Sequence, residues 1–168
     1  MSFTTKLEAR VATHRTHLCV GLDPRAATPE QAYEDCRALI ESTQAYAAMY
    51  KANWAFFVQH GPEGLRVLAR VRRLVQPDIP FLLDAKMGDI GATNEAYRTY
   101  VYDVLKADAV TATTFVSDVA PLERDGFAFL MCVNTSKDAL SAAIRAPARQ
   151  RVASHAAERP DHRGLVIA

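Results

Sequence analysis

The stretch "PFLLDAKMGDIGATNEAY", residues 80–97, carries a carboxylate, an ammonium and a second carboxylate to the end of an apolar run: Asp84, Lys86 and Asp89. Charge at the end of a run built for burial must be paired, because unpaired buried charge is expensive. Side chains at i and i+2 of a strand share a face, so Asp84 and Lys86 are expected to point the same way and Ala85 the opposite way. Gly88 is expected to allow the sharp departure that carries Asp89 into the loop. Opposite charges within about 4 to 6 Å hold each other ionised, so an ammonium between two carboxylates keeps its proton at neutral pH. Lys86 is therefore expected to act as a cation and proton donor. An imine-forming lysine needs the opposite surroundings, desolvated or beside another cation.

Other apolar runs end the same way. Asp23 closes "LCVGLD", Lys51 lies within "AAMYKANWAFF", and Thr135 with Ser136 closes "FAFLMCVNTS". Taken singly, such residues read as solvated ion pairs, and Asp23 before Pro24 also suits a turn. Polar ends on several runs together point to one shared site.

The elements that would position them alternate regularly. "LCVGLD" is a buried strand, and "PEQAYEDCRALIESTQAY" is a helix opened by Pro29. "AAMYKANWAFF" reads as the second strand, its alanines leaving helix open as an alternative. "GPEGLRVLARVRRLVQ" is an amphipathic helix with Leu65, Leu68, Val71, Leu74 and Val75 inward and Arg66, Arg70, Arg72 and Arg73 outward. "IPFLLDAK" is the third strand, "ATNEAYRTYVYDVLK" a helix, "ADAVTATTF" a strand and "SDVAPLERDG" a short helix or turn. "FAFLMCVNTS" is a strand, a helix is expected around "ARQRVASHAAER", and "GLVIA" is a sixth strand-like run. Strands that are continuously apolar and alternate with helices imply a parallel sheet. An open doubly wound sheet announces a nucleotide site with G-x-G-x-x-G after its first strand, which "VGLDPRAATPE" lacks. A (β/α)8 barrel places its functional residues at the C-terminal ends of several strands, and that pattern is the one present.

The 168 residues are 49% hydrophobic and 23% charged, with a formal net charge of +1. One domain is expected over 1–168, with an N-terminal extension or helix over 1–17 and a barrel from 18. The near-neutral charge supplies no basic field for nucleic acid or an anionic membrane. No stretch reads as a signal peptide or a membrane span, so a cytoplasmic protein is expected. Cys19, Cys36 and Cys132 have no CxxC spacing and suggest neither disulfides nor zinc. His14, His17, His60, His155 and His162 form no H-x-x-x-H arrangement, so no metal site is expected. Trp54 is expected in the core between strand and helix.

The chain resembles the orotidine 5'-phosphate decarboxylases, particularly their longer bacterial branch. The resemblance rests on "CVGLDP", "YKANWAFF" followed by "GPEGL", the D-x-K-x-x-D-I-x-x-T run "DAKMGDIGAT" with "EAY" behind it, "ADAVTATTF" and "NTS", and extends from roughly Leu18 to the end. It implies a homodimeric β/α barrel that removes CO2 from orotidine 5'-monophosphate to give UMP, without a cofactor. Asp84 would then lie beside the departing carboxylate, and Lys86 would stabilise the charge developing at C6 and protonate that carbon. Lys51 would organise the array and touch the ribose, and Asp89 and Thr93 would reach into the neighbouring site of the dimer. Asp23 would hold a ribose hydroxyl and Ser136 the pyrimidine edge. The chain departs from the family pattern at Met87, usually Arg, at Ala52, usually Pro, and in "TSKDA" for T-S-N-P.

A complete barrel takes about 250 residues, and counted from "LCVGLD" this chain ends at its sixth strand. About two β/α units are expected to be missing, and with them the late glycine-rich loop and Arg that grip the phosphate in the family. A fragment of a longer protein is expected rather than a degenerate relative. Two other functions stay open on the residues alone: a related Mg2+-dependent sugar-phosphate decarboxylase or aldolase of the same barrel group, and a non-catalytic nucleotide-binding or dimerisation module.

Overall fold

The computed structural model describes residues 1–113, 119–124, 126–133 and 149–167. Six parallel strands stand in sequence order: β1 (Cys19–Leu22), β2 (Met49–Asn53), β3 (Phe81–Met87), β4 (Ala109–Thr113), β5 (Phe127–Val133) and β6 (Arg163–Ile167). Before and between them lie α1 (Phe3–His14), α2 (Pro29–Thr43), α3 (Ala55–Val58), α4 (Gly61–Leu74), α5 (Gly91–Arg98), α6 (Ala120–Glu123) and α7 (149–157). This is six-eighths of a (β/α)8 barrel, as the alternation of apolar runs and helical patterns predicts.

Strand alternation divides the apolar residues into two cores. Val20, Leu22, Tyr50, Ala52, Phe81, Leu83, Val110, Ala112, Ala128 and Leu130 face the helices and form the larger cluster with Ile40, Phe57, Val67, Leu68 and Val71. Met49, Leu82, Ala109 and Phe127 face the concave side and form the smaller one. α1 closes that smaller core from below. Its Phe3 stacks on Phe127 at 4.8 Å between centroids and meets Phe129 edge-on at 5.5 Å. Lys6 of α1 pairs with Asp108 at 2.6 Å, and Asp108 also accepts the Phe81 amide at 2.9 Å. Arg10, buried in the same helix, donates to the backbone carbonyls of Gln44 and Ala47.

Helix boundaries follow local chemistry. Thr28 caps α2 through the Gln31 amide at 3.2 Å, with Pro29 in the first turn. α2 and α4 are tied by Arg70, which lies over the Tyr33 ring and pairs with Glu30. Gly64 permits the α3–α4 contact, since a Cβ there would sit 1.8 Å from the Phe57 carbonyl oxygen.

Several expectations are corrected. β2 ends at Asn53 and "AFFV" turns into α3, because Asn53 Oδ1 accepts the Ala55 amide and starts a new turn. The buried stripe of α4 runs through Gly64, Val67, Leu68 and Val71, with Leu65 and Leu74 only half-buried. Arg72 is not outward: its guanidinium lies over Phe81 and donates to the Lys106 carbonyl. The helix expected over 92–106 is α5 followed by a π segment, Thr99–Val104, whose wider turn brings Val101 and Tyr102 to buried positions. At the other end of the sheet, Glu123 is fully buried and pairs with Arg159 at 3.1 Å and with Arg163. α6 is thereby fastened to the sixth β/α unit.

Phe3 is the floor of the concave core. Replacing it with alanine is expected to lower the stability of the purified protein by about 3 kcal/mol in urea unfolding; a change within error would remove α1 from the fold's energetics.

Candidate active site

The inward positions of the strands change character along their length. Below are Met49, Leu82, Ala109 and Phe127; two residues further along come Lys51, Asp84 and Thr111. The polar layer therefore sits at the C-terminal ends of the strands, the end at which barrels do chemistry. Asp23 follows β1 and completes the layer.

These side chains form a line of alternating charge. Lys51 Nζ lies 3.5 Å from Asp23 Oδ2 and 3.3 Å from Asp84 Oδ2. Asp84 Oδ1 accepts from Lys86 Nζ at 2.7 Å and from the Thr111 hydroxyl at 2.8 Å. Asp23 is oriented from behind by the Asn53 amide, 3.2 Å from its Oδ1. The Asp84 side chain is only 13% exposed, whereas that of Lys86 is 51% exposed and faces the open mouth. Burial pushes the Asp84 carboxyl up, but hydrogen bonds from Lys86 and Thr111 and the charges of Lys51 and Lys86 outweigh it, so the net shift is downward.

β3 does not reach this geometry by plain alternation. Leu83 pairs with Val110 and Met87 with Ala112, so three residues of β3, Asp84 to Lys86, oppose Thr111 alone. The strand bulges at the charged pair, and Lys86 itself adopts φ 50°. The positive-φ positions flanking the loop are thus Lys86 and Gly91 (φ 45°), not Gly88. Met87, where the family usually has Arg, is buried among the helix-facing residues, away from the charged line.

Asp89 does not flank Lys86. Its Oδ1 accepts the Ile90 amide at 2.7 Å, and its backbone is held by the fully buried Asn94, which accepts the Asp89 amide at 3.0 Å and donates to the Asp89 carbonyl at 2.6 Å. The ammonium set between two carboxylates is Lys51, between Asp23 and Asp84. Thr93 lies in the first turn of α5 beside this loop, its amide 3.2 Å from the Ile90 carbonyl. Ile90 is 67% exposed. Ser136 lies outside the described residues, as does Thr135. Sequence reasoning missed Asn94 and Thr111. The signal was available for Thr111, a hydroxyl in a strand patterned for burial, where it survives only when paired; Asn94 stands in the polar first turn of α5 and carries no such signal. Among the described residues no cluster of three or more His, Cys, Asp and Glu could hold a metal ion, and no helix is long and apolar enough to cross a membrane.

Six parallel β/α units with charge gathered at the strand ends define a barrel of the enzyme type. The family model of the orotidine 5'-phosphate decarboxylase / HUMPS family matches residues 16–125, and the chain belongs to that family. A relative from Thermomicrobium roseum named orotidine 5'-phosphate decarboxylase is 41% identical over 128 residues, covering 71% of this chain and 46% of its own length. One of the same name from Verminephrobacter eiseniae is 37% identical over 150 residues, 79% of this chain and 53% of its own. The solved structure of Leishmania donovani OMP decarboxylase superposes with a TM-score of 0.91 at 39% identity, over 99% of this chain and 70% of that one. The chain spans about half the length of the curated relatives it matches.

Two outcomes check the geometry. The Asp84 carboxyl, depressed in the folded protein, contributes stability that is present above the ordinary carboxylate range and lost as pH falls through its folded value. A carbon-13 NMR titration is expected to show it still ionised where exposed carboxylates are half protonated; a midpoint at or above theirs contradicts the array. Replacing Asn94 with alanine leaves both Asp89 backbone groups without this partner and is expected to cost about 1–3 kcal/mol in urea unfolding.

Proposed function

We propose that the protein carrying this chain removes CO2 from orotidine 5'-monophosphate to give UMP, in the cytoplasm, without metal or cofactor. The observation that carries the reading is the charged line Asp23–Lys51–Asp84–Lys86 at the strand ends of a chain of this family. Breaking the bond between C6 and the carboxyl carbon releases CO2 and leaves an electron pair on an sp2 carbon with no adjacent carbonyl to accept it. A fixed cation beside that carbon lowers the barrier, because it need not reorganise as the charge appears. Lys86 is that cation. Its ammonium then gives a proton to C6, and the amine regains one from water.

Asp84 occupies the place beside the departing carboxylate and anchors the Lys86 ammonium at 2.7 Å. Lys51 balances two carboxylates and faces the ribose, with Asp23 on a ribose hydroxyl and Ser136 on the pyrimidine edge. Asp89 and Thr93 act in the neighbouring site of a homodimer. In support, Asp89 makes no pair with its own Lys86, and the loop that bears it presents an exposed Ile90.

The test is UMP formation by the complete protein that carries this chain and by its Lys86→Ala variant. Loss of a preorganised charge is expected to lower the rate by at least about a hundredfold. Equal rates would remove Lys86 from the chemistry, and no product from the parent protein would overturn the reading. EDTA is expected to leave the rate unchanged; a metal-dependent relative of the same barrel group would lose it.

A further inference from the structure

Thr111 is the single residue of β4 facing the bulge that presents Asp84 and Lys86. It is 3% exposed and stands on the concave face between Ala109, in the apolar floor, and Thr113. Valine has the same shape and would suit a buried strand position better, since an unpaired hydroxyl there is costly. The hydroxyl is paired in both roles, as donor and as acceptor. It accepts the Lys86 amide at 2.9 Å and donates to Asp84 Oδ1 at 2.8 Å.

The direction of both bonds is forced. An amide can only donate and an ionised carboxylate can only accept, so the one hydroxyl proton must point at Asp84. The bulge explains why a side chain is needed at all. With Leu83 opposite Val110 and Met87 opposite Ala112, the Lys86 amide falls out of the ladder between the two strands, and the Thr111 hydroxyl takes the place of a backbone partner. Lys86 has φ 50°, a conformation that side-chain-bearing residues adopt rarely and that persists only where neighbours enforce it. Asp84 Oδ1 is shared between Thr111 and the Lys86 ammonium, while Lys51 holds Oδ2. One hydroxyl thus grips both ends of the catalytic pair: the backbone of the lysine and the carboxylate on which its amine rests.

We propose that Thr111 is a positioning residue of the site, whose hydroxyl sets the bulge so that the Lys86 amine stays over Asp84 at the barrel mouth. It acts through these two residues and not by touching substrate. The consequence for rate rests on the decarboxylase reading; the consequence for the geometry of the free protein does not.

The experiment compares Thr111→Val and Thr111→Ser in the purified protein, with thermal unfolding as a fold control. Two things are read: kcat and KM for UMP formation, and the carbon-13 titration of the Asp84 carboxyl without ligand. The valine variant is expected to lose about ten- to a hundredfold in kcat, the effect of misplacing a reacting group by up to about 1 Å, with KM changed far less. Its Asp84 midpoint is expected to move up, because a hydrogen bond to the ionised form has been removed. Serine, which keeps the hydroxyl and drops the methyl, is expected to restore both. Should the valine variant not fold, Thr111→Ala measured against Thr111→Ser gives the same comparison. An unshifted Asp84 midpoint in the valine or alanine variant, or a serine variant as impaired as the other, overturns the proposal. If the parent protein forms no UMP, the decarboxylase reading falls, and the titration still decides the role of Thr111.

Discussion

The site depends on satisfying one nearly buried carboxylate. Asp84 lies where the concave side of the sheet turns from apolar to polar, and its charge is tolerable only because donors converge on it: the ammonium groups of Lys51 and Lys86 and the hydroxyl of Thr111. Each donor comes from a different point of the sheet, so the carboxylate registers β2, β3 and β4 against one another. Lys51 extends the link to Asp23 and hence to β1. Electrostatics and strand register are therefore one constraint here.

The two cores make that constraint possible. The larger, between sheet and helices, fixes the strands in order; the smaller, capped by Phe3, fills the concave side as far as the polar layer and stops. Above that floor the inward positions carry charge because the barrel mouth is wet enough to stabilise Lys86 yet narrow enough to bury Asp84. The bulge in β3 then gives the strand the slack to turn its lysine toward the mouth while Met87 returns to the helix side.

Much of this was legible in the sequence. Short, continuously apolar runs such as "PFLL" and "FAFL", alternating with helical patterns, read as strands covered on both faces, so the parallel sheet and the number of β/α units follow from pattern. That Asp84 and Lys86 share a face is legible from the period of a strand, although β3 reaches it through a bulge. The bulge itself is not legible, because nothing in a single strand's sequence reveals how many residues its neighbour sets opposite. For the same reason the sequence points to Gly88 for a turn that Lys86 and Gly91 make. Nearness in sequence suggests Asp89 as a partner of Lys86, whereas Asn94, five residues on, holds its backbone elsewhere. The pattern marks Asn94 only as part of a helix and Thr111 only as part of a strand; the partner of the first is a loop five residues back, and those of the second lie on the neighbouring strand, which spacing within one element does not encode.

The left-handed backbone at position 86 has an evolutionary consequence. Glycine would relieve that strain and serve stability better, but it carries no amine. On the catalytic role proposed for Lys86, robustness and turnover pull this position in opposite directions, so gains in heat tolerance are to be sought elsewhere, in the floor and the helix layer.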